Sequence, residues 1–298
     1  LRKISRRSLP VFVILFLSLI AAPAFTPAEA QRHFLWRAKT DTATVYLLGS
    51  IHFMKKEAYP LSRVIEDAFD RSDTIAVEAD INSIGKRALE RLRLAGFYQG
   101  DDSIANHLSP ETYAYITREA ARIGLPAASF NRQKPWFLAM TLSSIELMKA
   151  GYNPHLGIDK YFLTRASGKK KIVELESLDY QIDLLAGLPD REQEDFLLYA
   201  IKDLRSLVEQ VDTIMTAWTA GDSEAIAGIL EKSVADDSRL KVIHKKIMTD
   251  RNRNMTKKIA SYLRSGGCVF VVVGAGHLVG ELGIVELLRK EGFTVEQL

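Results

Sequence analysis

Cysteine is almost absent: Cys268 is the only one in 298 residues, so no disulfide can form within the chain and no cysteine-rich zinc site can be built. No apolar run reaches the roughly 20 residues that a membrane-spanning helix needs, because Leu9 to Ala22 is followed closely by Pro23 and Pro27. Charge of one sign is scarce as well. The formal net charge is +3, and Arg2, Lys3, Arg6 and Arg7 all fall at the very start, so composition gives no support to a nucleic-acid-binding face. The basic run Lys169-Lys170-Lys171 is too short to supply one. There is no His-Glu-x-x-His, no Gly-x-Ser-x-Gly and no phosphate-cradling Gly-x-x-x-x-Gly-Lys. Gly274-Ala275-Gly276 is half of a dinucleotide fingerprint, with Val279 where its third glycine would stand. No fixed-period repeat is present, which excludes solenoids and propellers.

What remains is an ordinary globular composition, 47% apolar and 26% charged, which excludes wholesale disorder, collagen and a polytopic membrane protein. The first 30 residues run from basic to apolar to Ala28-Glu29-Ala30, the order of a secretory signal peptide. The expectation is cleavage after Ala30 and an exported protein, periplasmic or extracellular, without stable membrane insertion; anchoring by an uncleaved signal is the alternative. Without those residues the chain is formally neutral, with 36 basic and 36 acidic side chains. Residues 31–298 are expected to form a single domain, and a chain of that length buries roughly 70–75% of its unfolded surface, enough to fold without cross-links.

The apolar patterning predicts an α/β or α+β fold with a central mixed sheet. Phe34 to Ala38 and Thr44 to Leu48 read as a hairpin. Pro60 to Arg71 carries helical spacing, and Thr74 to Ala79 follows as an apolar strand, completing a strand-helix-strand unit. Residues 83–168 read as a large helical insertion. Lys171 to Glu176 returns to strand alternation, and Leu197 to Trp218 reads as one long amphipathic helix. Helices are expected over Ser223 to Lys232 and Arg239 to Arg264. Cys268 to Val273 is the strongest buried strand, stopped by Gly274; Glu281 to Glu291 closes with a helix, and Thr294 to Leu298 with a short edge strand.

Two apolar strands end alike, in Gly49-Ser50-Ile51-His52 and in Gly274-Ala275-Gly276-His277. Functional groups collect beyond the carboxyl ends of parallel strands, and a glycine there permits the turn that aims the next side chains over the edge. Either histidine alone has a plain structural alternative, a loop start for His52 and a helix cap for His277. Glu78 lies near the end of the apolar strand Ile75 to Ala79, where a carboxylate must pair with a base or bind a metal. Two histidines and a carboxylate form the ligand set of many divalent-metal sites. Glu174 and Glu176 share one strand face, as supporting acids or as a solvated edge.

In these segments the chain resembles the TraB/GumN family, which includes the animal TIKI proteins. The resemblance spans roughly Phe34 to Leu298 and rests on Tyr46 to His52, Val77-Glu78, Gly157-Ile158-Asp159, Leu175-Glu176-Ser177 with Gln181, Arg251-Asn252 and Val273 to Gly280. It implies a fold related to erythromycin-esterase-like hydrolases. Through the TIKI branch it also implies metal-dependent peptide cleavage with manganese or cobalt; zinc is a further possibility for the ligand set.

The residues are therefore read as those of an exported metallohydrolase acting on a peptide or protein, with His52, His277 and Glu78 as metal ligands and Gly49 and Gly274 as the motif glycines. Glu78 serves as ligand or general base, with Glu176 and Asp159 as alternates. Arg251 is expected to stabilise the developing oxyanion and Asn252 to donate a further hydrogen bond. A non-catalytic peptide binder, a metal-free esterase and a structural envelope protein are the alternatives. The sequence does not set the oligomeric state.

Overall fold

The computed structural model describes residues 32–298 apart from 203 and 236; the signal peptide read over residues 1–30 lies outside the described residues. Six strands form one mixed sheet: β1 (Leu35–Lys39), β2 (Ala43–Ser50), β3 (Thr74–Val77), β4 (Lys171–Glu174), β5 (Gly267–Gly274) and β6 (Val295–Gln297), in the order β4-β3-β5-β2-β1-β6. Strands β2, β5, β3 and β4 run parallel, while β1 pairs antiparallel with both β2 and β6. The fold is α/β with a large helical content, as the alternation of short apolar strands and amphipathic stretches predicts.

Strand β5 is covered on both faces, which is why Val269 to Val273 form an unbroken apolar run in place of an alternating one. On one face the helices Arg63–Asp70 and Ile158–Ala166 bring Phe69 and Phe162 onto Phe270, with ring centroids 4.9 to 5.5 Å apart. The chain moves outward from β2 to β3 to β4 and then returns to β5, so right-handed crossovers send the later helices to the opposite face. There the helix Asp250–Ser265 contributes Met255, Ile259, Ala260 and Leu263, and the helix Ile284–Lys290 contributes Ile284 and Leu288. A second apolar core, with Ile116, Phe130, Leu142, Leu197 and Ile201 among its members, lies among helices placed between β3 and β4 and the helix Asp190–Lys202.

Several sequence expectations change, among them that the closing helix expected over Glu281 to Glu291 is Ile284–Lys290. The stripe from Leu197 to Trp218 is two helices, Asp190–Lys202 and Leu207–Thr219. The break lets the first half bury Leu197 and Ile201 in the second core while Ala217 and Trp218 enter the first. The first crossover helix begins at Arg63 and not at Pro60, because the Ser62 hydroxyl caps it by accepting from the Ile65 N–H. Strand β3 ends at Val77 and β4 at Glu174, so Glu78 and Glu176 lie just beyond their strands, joined by a hydrogen bond from the Glu176 N–H to the Glu78 carbonyl.

Strand β5 sits between β2 and β3, which are consecutive in sequence. The carboxyl ends of β3, β5 and β2 thus lie side by side where the winding direction reverses, the place where open α/β sheets bind ligands. At this edge Gly49 is in close contact: its N–H donates to the Phe34 carbonyl, and a Cβ there would run into the Phe34 ring and lie 3.0 Å from the Ala275 Cα. Gly49→Ala is expected to lower unfolding free energy by about 1–3 kcal/mol through overpacking. Urea denaturation checks this, and an unchanged midpoint would refute the tight contact.

Candidate active site

Each of the three adjacent strand ends contributes one side chain. Glu78 follows β3, His277 lies in the short helix Ala275–Leu278 that follows β5, and His52 comes two residues after β2. Glu78 Oε1 accepts from the Gly274 N–H at 2.7 Å and faces His277 Nε2 at 3.9 Å. Its other oxygen accepts from Arg251 Nη2 at 2.5 Å and from Gln181 Nε2 at 3.1 Å. Arg251 also grips Glu176, with Nε 3.0 Å from both carboxylate oxygens and Nη2 2.7 Å from one, and its Nη1 donates to the Ile247 carbonyl. Gln181 Nε2 reaches Glu176 as well, at 3.2 Å.

The two imidazoles are held by the same device. Asn252 donates through Nδ2 to the Leu282 carbonyl, so its Oδ1, 2.6 Å from His277 Nδ1, must accept; Nδ1 carries the proton and the neutral ring keeps its lone pair on Nε2. Asp159 Oδ2 lies 3.2 Å from His52 Nδ1, so Nδ1 is held by the carboxylate and Nε2 is the ring nitrogen left to a ligand, which would have to displace its proton at neutral pH. Gly157 allows this second anchor. A Cβ there would sit 2.5 Å from the His52 carbonyl oxygen and 2.9 Å from Asp159 Oδ1, and the Ile158 N–H donates to the Ile51 carbonyl.

Several expected roles shift accordingly. Arg251 is engaged by two carboxylates and a carbonyl, so it orients Glu78 and Glu176 and does not stand ready for an oxyanion. Asn252, buried at 4% exposure, spends its amide on the Leu282 carbonyl and its oxygen on His277, so it positions that ring and is not the expected donor to a substrate. Glu176, with 3% of its side chain exposed, is a buried counter-charge, and Asp159 is the anchor of His52, so neither is placed as a proton shuttle. Glu174 is a separate edge contact that accepts from the Asp80 N–H. Gln181, tied to both buried glutamates, is the one polar participant that motif spacing alone does not single out; a glutamine within a helix carries no chemical signature.

Burial pushes the His277 imidazole down to about 4, against the opposing pull of the Glu78 carboxylate. Burial by itself would raise the Glu78 carboxyl, but the cationic groups around it and the Gly274 N–H bring it down to about 2. The largest of these cationic contributions, that of His277, acts only below about pH 4 where that ring is protonated, so at neutral pH Arg251 and the protonated His52 keep Glu78 ionised. His52 is exposed, with 61% of its side chain open to solvent. Desolvation opposes its protonation, but the Asp159 hydrogen bond and charge outweigh it and raise the ring to about 9.

The donor chemistry suits a divalent cation: two imidazole Nε2 atoms, each with its Nδ1–H held from behind, and a carboxylate oxygen. Among the described residues no three His, Cys, Asp or Glu side chains are gathered closely enough to hold one. Both depressed groups bind fewer protons folded than unfolded, so they stabilise the fold at neutral pH. The His277 contribution is lost as pH falls from about 6.5 to about 4, and that of Glu78 as it falls from about 4.5 to about 2. In chelator, His277→Gln is expected to remove about one proton from the uptake on unfolding between pH 6.5 and 4; equal pH slopes for variant and wild type would contradict a buried neutral imidazole.

No helix among the described residues is long and apolar enough to cross a membrane. No solved structure matches the chain. The uncharacterized protein YbaP of Escherichia coli K12 is 25% identical over 265 residues, covering 86% of this chain and 94% of its own. A metalloprotease TIKI homolog of Amphimedon queenslandica is 22% identical over 90% of this chain and 62% of its own, and metalloprotease TIKI1 of Danio rerio 24% over 91% and 64%. The profile of the TraB/PrgY/gumN family matches residues 34–297, which takes in every strand of the sheet and every side chain of the site; the chain belongs to the TraB/PrgY/gumN family.

Proposed function

We propose that this chain is an exported metal-dependent hydrolase that cleaves a peptide or protein. The observation that carries the reading is the pair of imidazoles at neighbouring strand ends, each anchored through Nδ1, beside an ionised glutamate. Ligating histidines are held from behind in this way, because the second-shell bond fixes both the tautomer and the ring orientation. The similarity to metalloproteases in two animals points to the same chemistry.

His52 and His277 would hold the cation through Nε2 and Glu78 through Oε1, with manganese, cobalt or zinc as the candidates. Such a cation supplies Lewis-acid polarisation of the scissile carbonyl and makes water acidic enough to attack near neutral pH. Asn252 keeps the His277 ring in the binding tautomer, and Asp159 orients the His52 ring, from which a cation would displace the Nε2 proton. Arg251 and Gln181 occupy Glu78 Oε2, so only Oε1 turns toward His277. A carboxyl held near 2 is a poor proton acceptor, which favours Glu78 as ligand over Glu78 as general base.

His52→Ala and His277→Ala are each expected to lose bound metal and at least about 100-fold in turnover while staying folded, and the double variant to be no worse than either single one, since residues acting as a unit give non-additive losses. Metal analysis and peptide-library digestion check this. Glu78→Gln is expected to lose metal and turnover together; turnover lost with metal retained would make it the base. If both histidine variants keep metal and activity, the hydrolase reading fails, and stoichiometric peptide binding without turnover would put a binder in its place.

A further inference from the structure

The row of strand ends that carries Glu78, His277 and His52 does not stop at β2. The next strand, β1, is antiparallel, so its beginning lies at this same edge: the Phe34 carbonyl accepts from the Gly49 N–H, and Phe34 lies against Gly49. There the described residues enclose a cavity of about 810 Å³ with Phe34, Leu61, Ile65, Met215 and Trp218 in its lining. One wall, from Lys55 to Ser62, belongs to the same loop that begins at His52. The opposite wall is the helix Leu207–Thr219, whose Trp218 Nε1 donates to the Gly49 carbonyl at 2.8 Å, so the cavity is bonded directly to the turn that presents His52.

The mouth is polar in a specific way. Lys55 Nζ lies 2.9 Å from Asp212 Oδ1 and 4.4 Å from the centre of the Tyr152 ring, and the Tyr152 hydroxyl donates to the same Asp212 oxygen at 2.6 Å. This rim ties the His52 loop to the helix Leu207–Thr219 across the opening. The volume is larger than any single side chain and falls within the range of ligand pockets. An apolar lining with charges of both signs and hydroxyls at the rim matches an extended peptide, which has apolar side chains to bury and backbone N–H and C=O groups to satisfy. A bare hydrocarbon chain has no N–H or C=O to meet the remaining donors of Lys55 and acceptor positions of Asp212.

We infer that this cavity is the site that selects the substrate, taking a large apolar side chain of a peptide whose extended backbone lies along the sheet edge past His52. The inference rests on the peptidase reading and names its substrate class. Thr216 and Thr219 line the cavity from exposed positions on the wall helix, so tryptophan at either fills it without disturbing either core.

The test measures binding separately from cleavage. Fluorescein-labelled hexapeptides with Leu-Phe or Ser-Ser between glycine pairs are titrated by anisotropy into the full chain in chelator, and the same peptides are then digested with manganese present. The Leu-Phe peptide is expected to bind about 10-fold or more tighter, and Thr216→Trp and Thr219→Trp, with unchanged melting temperatures, to bring the two peptides within about twofold. Equal binding of both peptides by the wild type, or a preference untouched by both tryptophan variants, overturns the inference. Selective binding without cleavage in manganese upholds the cavity and sinks the peptidase reading alone.

Discussion

Arg251 stands between Glu78 and Glu176 with all three side chains no more than 13% exposed, and the geometry of the site depends on that arrangement. Removing one member of such a buried cluster leaves an uncompensated charge and costs about 3–5 kcal/mol, so the three stand or fall together. The cluster draws on residues just after β3 and β4 and on the helix Asp250–Ser265, and Gln181 adds the helix Leu178–Ala186. Two carboxylates face one guanidinium. The surplus negative charge lies on the side of Glu78 that faces His277, and a site with that imbalance favours a cation.

Arg251 and Asn252 are neighbours in sequence but serve different partners, the glutamates and His277. Consecutive helical residues point about 100° apart, so one turn can address both only if its phase is right. Directly before them, Lys245–Thr249 winds as a π turn, with the Asp250 N–H reaching the Lys245 carbonyl. Such single-turn widenings recur at functional positions because one extra residue resets the phase of the next turn. Here it joins Ser238–His244 to Asp250–Ser265 while setting the angle at which Arg251 and Asn252 enter the site.

Much of this was legible in the sequence. Unbroken apolar runs at Val45 to Leu48 and Val269 to Val273 mark strands buried on both faces, and the paired Gly-x-x-His endings follow two strands that lie side by side. Glu78, His277 and His52 follow neighbouring strand ends, and Glu78 and His277 face each other at 3.9 Å. The break between Lys202 and Leu207 was not legible, since the periodicity is unchanged across it and only the division of contacts between two cores shows it. Nor could spacing reveal that Arg251, Asn252 and Asp159 hold other side chains in place. A residue type shows what bonds it can make but not which neighbour arrives first, and in each case that neighbour comes from a segment distant in sequence.

The order of the strands also bears on how the chain reaches its native state. Strand β5 is central in the sheet, between β2 and β3, yet it is the fifth of six in sequence, and its pairing with β2 closes a loop of more than two hundred residues. Strand β6, at the very end, completes the edge by pairing with β1 at the start of the described chain. Pairings this remote make for slow folding, because the entropy of loop closure is lost before the contacts form. Until residues near 270 have been synthesised, β2 and β3 have no partner between them and the three strand ends cannot come together. The edge that carries these side chains therefore comes into being all at once and late, and a chain truncated ahead of β5 would carry His52 and Glu78 with nothing to hold them on adjoining strand ends.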